Sequence, residues 1–84
     1  MPEILIYTTR ICPYCIMAKR LLDDKGAAYT EINVDNNAQL RQEMMMKTQR
    51  RTVPQIFIGD THVGGFDELY ALERQKQLDA LLTD

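Results

Sequence analysis

Cys12 and Cys15, set in the stretch TTRICPYCIMAKR (residues 8–20), are the only two cysteines of this 84-residue chain. Two thiols at this spacing can cross-link the chain, contribute to a metal site, or open and close as a redox pair. A cross-link over so short a loop constrains little of the unfolded chain and stabilises far less than a long-range bridge. A structural zinc ion takes about four ligands, and Cys12, Cys15 and the single histidine, His62, do not complete a soft-ligand tetrahedron within one chain. No metal is therefore expected. The redox alternative has a mechanism at each position. Pro13 suits the first turn of a helix, where its missing N–H is no loss. Cys12 would then precede that helix, whose free N–H groups and positive dipole end favour a thiolate. Arg10 adds a cation two residues away. Cys15, one turn in and more buried, is within reach of a mixed disulfide on Cys12. Cys12 is expected to be the nucleophile and Cys15 the resolving thiol.

The elements needed to hold such a pair can be read around it. EILIYTT (3–9) is a short β-rich apolar run and reads as a buried strand. Helical spacing follows over 13–25, with Ile16, Met17, Ala18, Leu21 and Leu22 expected inward and Gly26 as a stop. AYTEINV (28–34) alternates as a second strand. Asp35, Asn36 and Asn37 offer caps for a helix over about 37–47. QIFIG (55–59) is a third strand after Pro54, and His62-Val63 begins a fourth beyond the Asp60-Thr61 turn. Asp67 is expected to cap a further helix, and 75–83 forms a last helical segment. The order β-α-β-α-β-β-α implies a right-handed, parallel first unit and an antiparallel last pair. The expected fold is α/β and thioredoxin-like: one domain, 1–84, with a four-stranded mixed sheet and helices on both faces. A C-x-x-C beside a β-α-β pattern is a recognised redox signal.

Composition narrows the partners. With 45% hydrophobic and 26% charged residues the chain is globular, and no apolar run approaches the roughly 20 residues a membrane helix needs. MPEILIYTT lacks the basic and apolar segments of a secretory signal, so a cytoplasmic location is expected, where permanent disulfides are rare. A net charge of −2 gives no reason to expect nucleic acid. The charge is uneven, however: Arg41, Lys47, Arg50 and Arg51 against Glu43 make residues 41–51 net +3, whereas 60–84 are net −4. A small basic patch on an acidic protein suits a small anionic ligand better than a polyanion.

Three stretches in order carry a resemblance: Cys12-Pro13-Tyr14-Cys15, Thr52-Val53-Pro54-Gln55-Ile56-Phe57-Ile58, and Gly64-Gly65-Phe66-Asp67. From about Ile4 to Leu82 the chain resembles the glutaredoxins, specifically their small bacterial dithiol class. The resemblance implies a glutathione-dependent thiol–disulfide oxidoreductase that reduces protein–glutathione mixed disulfides and protein disulfides. Glutathione would be a co-substrate, with no permanently bound cofactor, and the protein would act as a monomer. It also implies a cis Pro54 that turns Thr52 and Val53 toward Cys12, so that Val53 pairs with the ligand as an added strand would. Gly64-Gly65 would admit close backbone approach. The helix start at Asp67-Glu68 would receive the γ-glutamyl end of glutathione, with an acid there pairing with the ligand's amine. Arg41 is expected to contact the glycine carboxylate, with Arg50 and Arg51 as alternatives, and Tyr14 to flank the mixed disulfide.

The chain departs from relatives at Thr9, where they often carry lysine, and at Phe66, where many have an extra cysteine. Met44, Met45 and Met46 read as helix packing with one side chain exposed, and His62 as a strand residue. Two rival functions carry distinct expectations. A thioredoxin-like reductant would be recycled by a flavoprotein reductase, with no use for the basic segment or the Gly-Gly-Phe-Asp corner. An iron–sulfur carrier would hold a cluster between two subunits, and relatives with that role commonly have Cys-Gly-Phe-Ser in place of this motif.

Overall fold

The computed structural model describes residues 2–83; Met1 and Asp84, the ends of the expected domain, lie outside them. The elements run β1 (Ile4–Thr8), α1 (Pro13–Asp24), β2 (Thr30–Asn33), α2 (Ala38–Thr48), β3 (Gln55–Ile58), β4 (Thr61–Gly64), α3 (Phe66–Arg74) and α4 (Leu78–Leu82). The strands lie in the order β2-β1-β3-β4. β1 pairs with β2 in parallel and with β3 antiparallel, and β3 pairs antiparallel with β4. This is the mixed four-stranded sheet of the thioredoxin-like fold.

Alternation along the strands sorts the core into two layers. Ile4, Ile6, Ile56 and Ile58 face one side, against Ala18 and Leu22 of α1, Leu69 of α3, and Leu78 and Leu82 of α4. Tyr7 faces the other side with Val34 and Met44 of α2, and Leu5, Ile32, Leu40, Val53 and Phe57 pack around them. Helices therefore cover both faces. The methionine run divides as expected: Met44 is buried, Met45 half-buried and Met46 exposed.

Helix α1 corrects one expectation. Its buried residues are Cys15, Ala18 and Leu22, while Ile16 and Met17 are exposed. Each residue advances about 100° around a helix, so a stripe that starts at Cys15 returns at Ala18 and Leu22 and carries Ile16 and Met17 outward. The helix ends at Lys25, and Gly26 follows at φ +67°, where glycine avoids the Cβ penalty. Lys19 leans back to Glu31 at 3.0 Å, and the buried Thr8 hydroxyl donates to the same carboxylate at 2.7 Å. This polar tie joins α1 to the ends of β1 and β2.

Helix α2 is capped by Asn37, whose Oδ1 accepts from the Leu40 N–H at 3.0 Å. Helix α3 differs from expectation: its cap is Gly65, and Asp67 is the second residue inside the helix. The carboxylate that reaches back is Glu68, which accepts from the Gly65 N–H at 2.6 Å. A long side chain three positions in can meet that N–H, while Asp67 turns away to solvent.

Candidate active site

Cys12 occupies the N-cap of α1, with extended backbone at φ −154°. Its Sγ accepts a hydrogen bond from the Cys15 N–H at 3.1 Å. The two cysteines are joined as a disulfide with a Cα–Cα separation of 5.2 Å. Cys12 is 7% exposed and Cys15 1%, so the difference in access has the expected sign but is small. Once the bond opens, the sulfur of Cys12 is left at a helix start with an N–H already aimed at it. Both features stabilise negative charge there.

The approach to Cys12 is a groove of about 320 Å³. Tyr14, Thr52, Val53, Pro54, Gly65, Asp67 and Glu68, all expected at the site, line it together with Arg50 and Phe66. Arg41, on α2, and Arg51 are not among the lining residues. The Val53–Pro54 peptide is cis, and the Val53 carbonyl oxygen lies 3.8 Å from Cys12 Sγ. The main chain of this loop therefore forms one wall beside the sulfur. Behind that wall, Gln55 Nε2 donates to the Thr52 carbonyl at 3.0 Å.

The start of α3 forms the other wall. Gly64 has φ +115°, which favours glycine, and a Cβ there would displace the Glu68 carboxylate from its present position. Glu68 Oε1 accepts from the Gly65 N–H and from Arg50 Nη1 at 3.0 Å. The Gly65 N–H, then Arg50, hold its carboxyl below the ordinary 4.5. Glu68 is thus committed to structure, whereas Asp67 is exposed and makes no ion pair among the described residues. Phe66 stacks on Tyr14, with centroids 6.3 Å apart, and on Tyr70 at 5.7 Å. Together they make an aromatic row, of which Tyr14 and Phe66 flank the groove.

A second, larger cleft of about 590 Å³ is lined by Thr9, Arg10, Ile11, Asn33, Asp35 and Asn36. Arg10 belongs to this cleft and not to the groove. Its backbone N–H donates to the Asp35 carboxylate, and the Asp35 N–H donates to Asn33 Oδ1 at 2.7 Å.

A disulfide at a helix start, a cis-proline wall and a helix-start wall now stand together in one fold, and the chain as a whole is similar to known proteins. A sequence model of the glutaredoxin family, described as "Glutaredoxin", matches residues 4–63. The chain belongs to the glutaredoxin family. It is 57% identical over 83 residues to a glutaredoxin of Pseudomonas aeruginosa, covering 99% of both chains. To glutaredoxin 3 of Escherichia coli strain K12 it is 50% identical over 82 residues, covering 98% of this chain and 99% of that one. Among solved structures, the buckwheat glutaredoxin–glutathione complex superposes with a TM-score of 0.89 at 32% identity, covering 98% of this chain and 77% of the other. The protein is accordingly a glutathione-dependent thiol–disulfide oxidoreductase of thioredoxin-like fold.

Two contributors were under-read in the sequence. Arg50, offered there only as an alternative, is the arginine in the groove. Phe66, noted only for replacing a cysteine, is the central ring of the aromatic row. The spacing of Tyr14, Phe66 and Tyr70 signals nothing until the fold brings α1 and α3 together.

Proposed function

We propose that the groove holds the glutathione moiety of a mixed disulfide and that Cys12 is the thiol that exchanges with it. The observation that carries this reading is the convergence on one sulfur of a helix N-cap and the Val53 backbone, with the start of α3 opposite. In the reduced enzyme the Cys12 thiolate attacks the glutathionyl sulfur of a protein–glutathione disulfide. A Cys12–glutathione bond forms, and the protein thiolate leaves and takes up a proton. A glutathione thiolate then attacks the glutathionyl sulfur, forming glutathione disulfide and returning Cys12 to its thiolate. With a protein disulfide as substrate, the mixed disulfide links Cys12 to the protein. Cys15 then attacks Cys12, expels the second protein thiolate, and leaves the Cys12–Cys15 bond for two glutathiones to reduce.

Each part of the groove suits one part of the ligand. The Val53 main chain offers strand-like pairing to the cysteinyl unit of glutathione, with Thr52 and Pro54 holding that wall. Gly65 and the N–H groups at the start of α3 suit the γ-glutamyl carboxylate, since a helix start concentrates donors and positive potential. Asp67 is the free carboxylate for the ligand's amine, because Glu68 is already engaged. Tyr14 covers the sulfur–sulfur bond. The cation for a ligand carboxylate is proposed at Arg50 in place of Arg41, since Arg50 lines the groove; it would be shared with Glu68, which it already meets through Nη1 at 3.0 Å. The buckwheat complex with glutathione supports a glutathione site in this fold.

The reading extends to a single catalytic domain acting as a cytoplasmic monomer on glutathionylated and disulfide-containing proteins, with glutathione as co-substrate and neither a resident cofactor nor nucleic acid required. Its support is the small acidic chain and, among the described residues, no helix long and apolar enough to cross a membrane. The deciding assay is turnover of a glutathionylated peptide with glutathione, glutathione reductase and NADPH. Activity through glutathione is expected; activity only with a flavoprotein thioredoxin reductase would overturn the reading.

A further inference from the structure

Gln55 is a fully buried amide (0% exposed) at the first position of β3, and both ends of it are engaged. Its Nε2 donates to the Thr52 carbonyl at 3.0 Å and lies 3.3 Å from Thr52 Oγ1. A main-chain carbonyl only accepts, so the amide nitrogen must face Thr52 and the amide oxygen must face away. On that far side His62 Nε2 lies 2.8 Å from Gln55 Oε1. An amide oxygen also only accepts, and His62 must therefore carry its proton on Nε2. The ring packs against Phe57 with centroids 4.9 Å apart, which restrains it in this pose.

The chain of contacts thus runs from β4 through a buried amide to the residue before Val53, whose carbonyl stands 3.8 Å from Cys12 Sγ. We propose that His62 is a positioning residue of the exchange reaction: its Nε2–H locks the Gln55 amide, which clamps Thr52 and sets the Val53 edge of the groove. The proposal rests on the groove being the glutathione site. His62 is not among the residues that line the groove, and no proton passes through it. Without its donor, Gln55 Oε1 loses its protein partner, which favours rotation of the amide away from Thr52.

The test uses two variants and the parent protein. His62→Phe keeps a ring against Phe57 and removes the donor. His62→Gln can place a donor nitrogen near the position of Nε2. In the glutathione-free protein, His62→Phe should move the NMR resonances of Thr52, Val53 and the Gln55 side-chain amide. Its apparent KM for a glutathionylated peptide should rise about two- to tenfold, the span of one lost hydrogen bond, with kcat little changed. His62→Gln should recover most of both effects. If His62→Phe does not fold, nitrogen-15 spectra of the parent protein decide: an Nε2–H tautomer supports the lock, and an Nδ1–H tautomer overturns it. Displaced Thr52 and Val53 resonances with an unaltered KM would overturn the positioning role. Were Arg50→Ala equally silent in KM, the groove reading itself would fall, which keeps the two failures apart.

Discussion

Two hollows border the loop that carries Cys12, and the larger one has the weaker claim to chemistry. The cleft at Thr9, Arg10, Asn33 and Asp35 has nearly twice the volume of the groove at Thr52, Val53 and Gly65. Two of its backbone N–H groups are bonded within it, that of Arg10 to Asp35 and that of Asp35 to Asn33. Each hollow has one arginine on its lining, but the groove also has a main-chain edge 3.8 Å from the sulfur and a helix start on its far wall. Convergence of differently directed groups on one sulfur marks a site, whereas open volume marks only a gap between loops.

The largest effect is expected at the Cys12 sulfur itself. Cys12→Ser should abolish all exchange. Cys15→Ser should retain deglutathionylation of a glutathionylated peptide and lose reduction of protein disulfides, because only the latter needs a resolving thiol. Equal loss from both changes in the peptide assay would remove the division of labour.

The next effect separates groove from cleft. Arg50→Ala should raise the apparent KM for a glutathionylated peptide about three- to tenfold, as loss of a charge-assisted contact would. The contact is solvent-exposed, so added salt should narrow the gap between parent and variant. Arg41→Ala and Arg10→Ala, both outside the groove, should change the same KM less than about twofold, the size of a screened surface charge. A larger effect at Arg41 than at Arg50 would restore the carboxylate contact to α2, where the sequence suggested it.

Smaller still is the contribution of nearby charge to the thiol. Thiolate absorbance should place Cys12 well below the roughly 8.5 of a free thiol, with Arg10→Ala changing the midpoint by less than about 0.5, since its charge lies in an exposed cleft. A midpoint at or above the free value would mean that the helix end does not act on the sulfur.

The smallest effect concerns Glu68. Its folded-state pKa is depressed below 4.5 by the Gly65 N–H and then Arg50. The stability it adds is complete above that ordinary value and is lost as pH falls through the folded one. Glu68 is exposed, so Glu68→Gln should flatten the acid limb of the stability curve only slightly. A steeper acid limb in the variant would contradict the assignment.

Much of this arrangement was legible in the sequence because it depends on local backbone chemistry. Pro13 after Cys12 marks a helix start and Gly26 a helix end, and each appears where expected; the short turn of the antiparallel pair falls one residue early, at 59–60, because Thr61 already pairs with Ile58 as the first residue of β4. The inward set of α1 was less legible, since a run as apolar as Ile16 to Leu22 does not fix the helix's rotation. The rotation shows only in the packing, where Ala18 and Leu22 meet the isoleucines of the sheet. The cap of α3 escaped because Asp67 and Glu68 are both plausible there, and only side-chain length decides which one reaches Gly65. Arg50 could not be told from Arg41 or Arg51 because its place depends on the path of the 49–54 loop. The Gln55–His62 link joins two strands through a buried amide, and nothing in the local pattern of either strand announces it.

The most direct test of the central claim is to trap glutathione on Cys12 in the Cys15→Ser protein and map its contacts by NMR. The account predicts contacts and shift changes at Tyr14, Arg50, Thr52, Val53, Gly65 and Asp67, and none at Asn33, Asp35 or Asn36. Contacts concentrated at Arg10, Asn33 and Asp35, with the Val53 and Gly65 signals unmoved, would put the ligand in the larger cleft and contradict it.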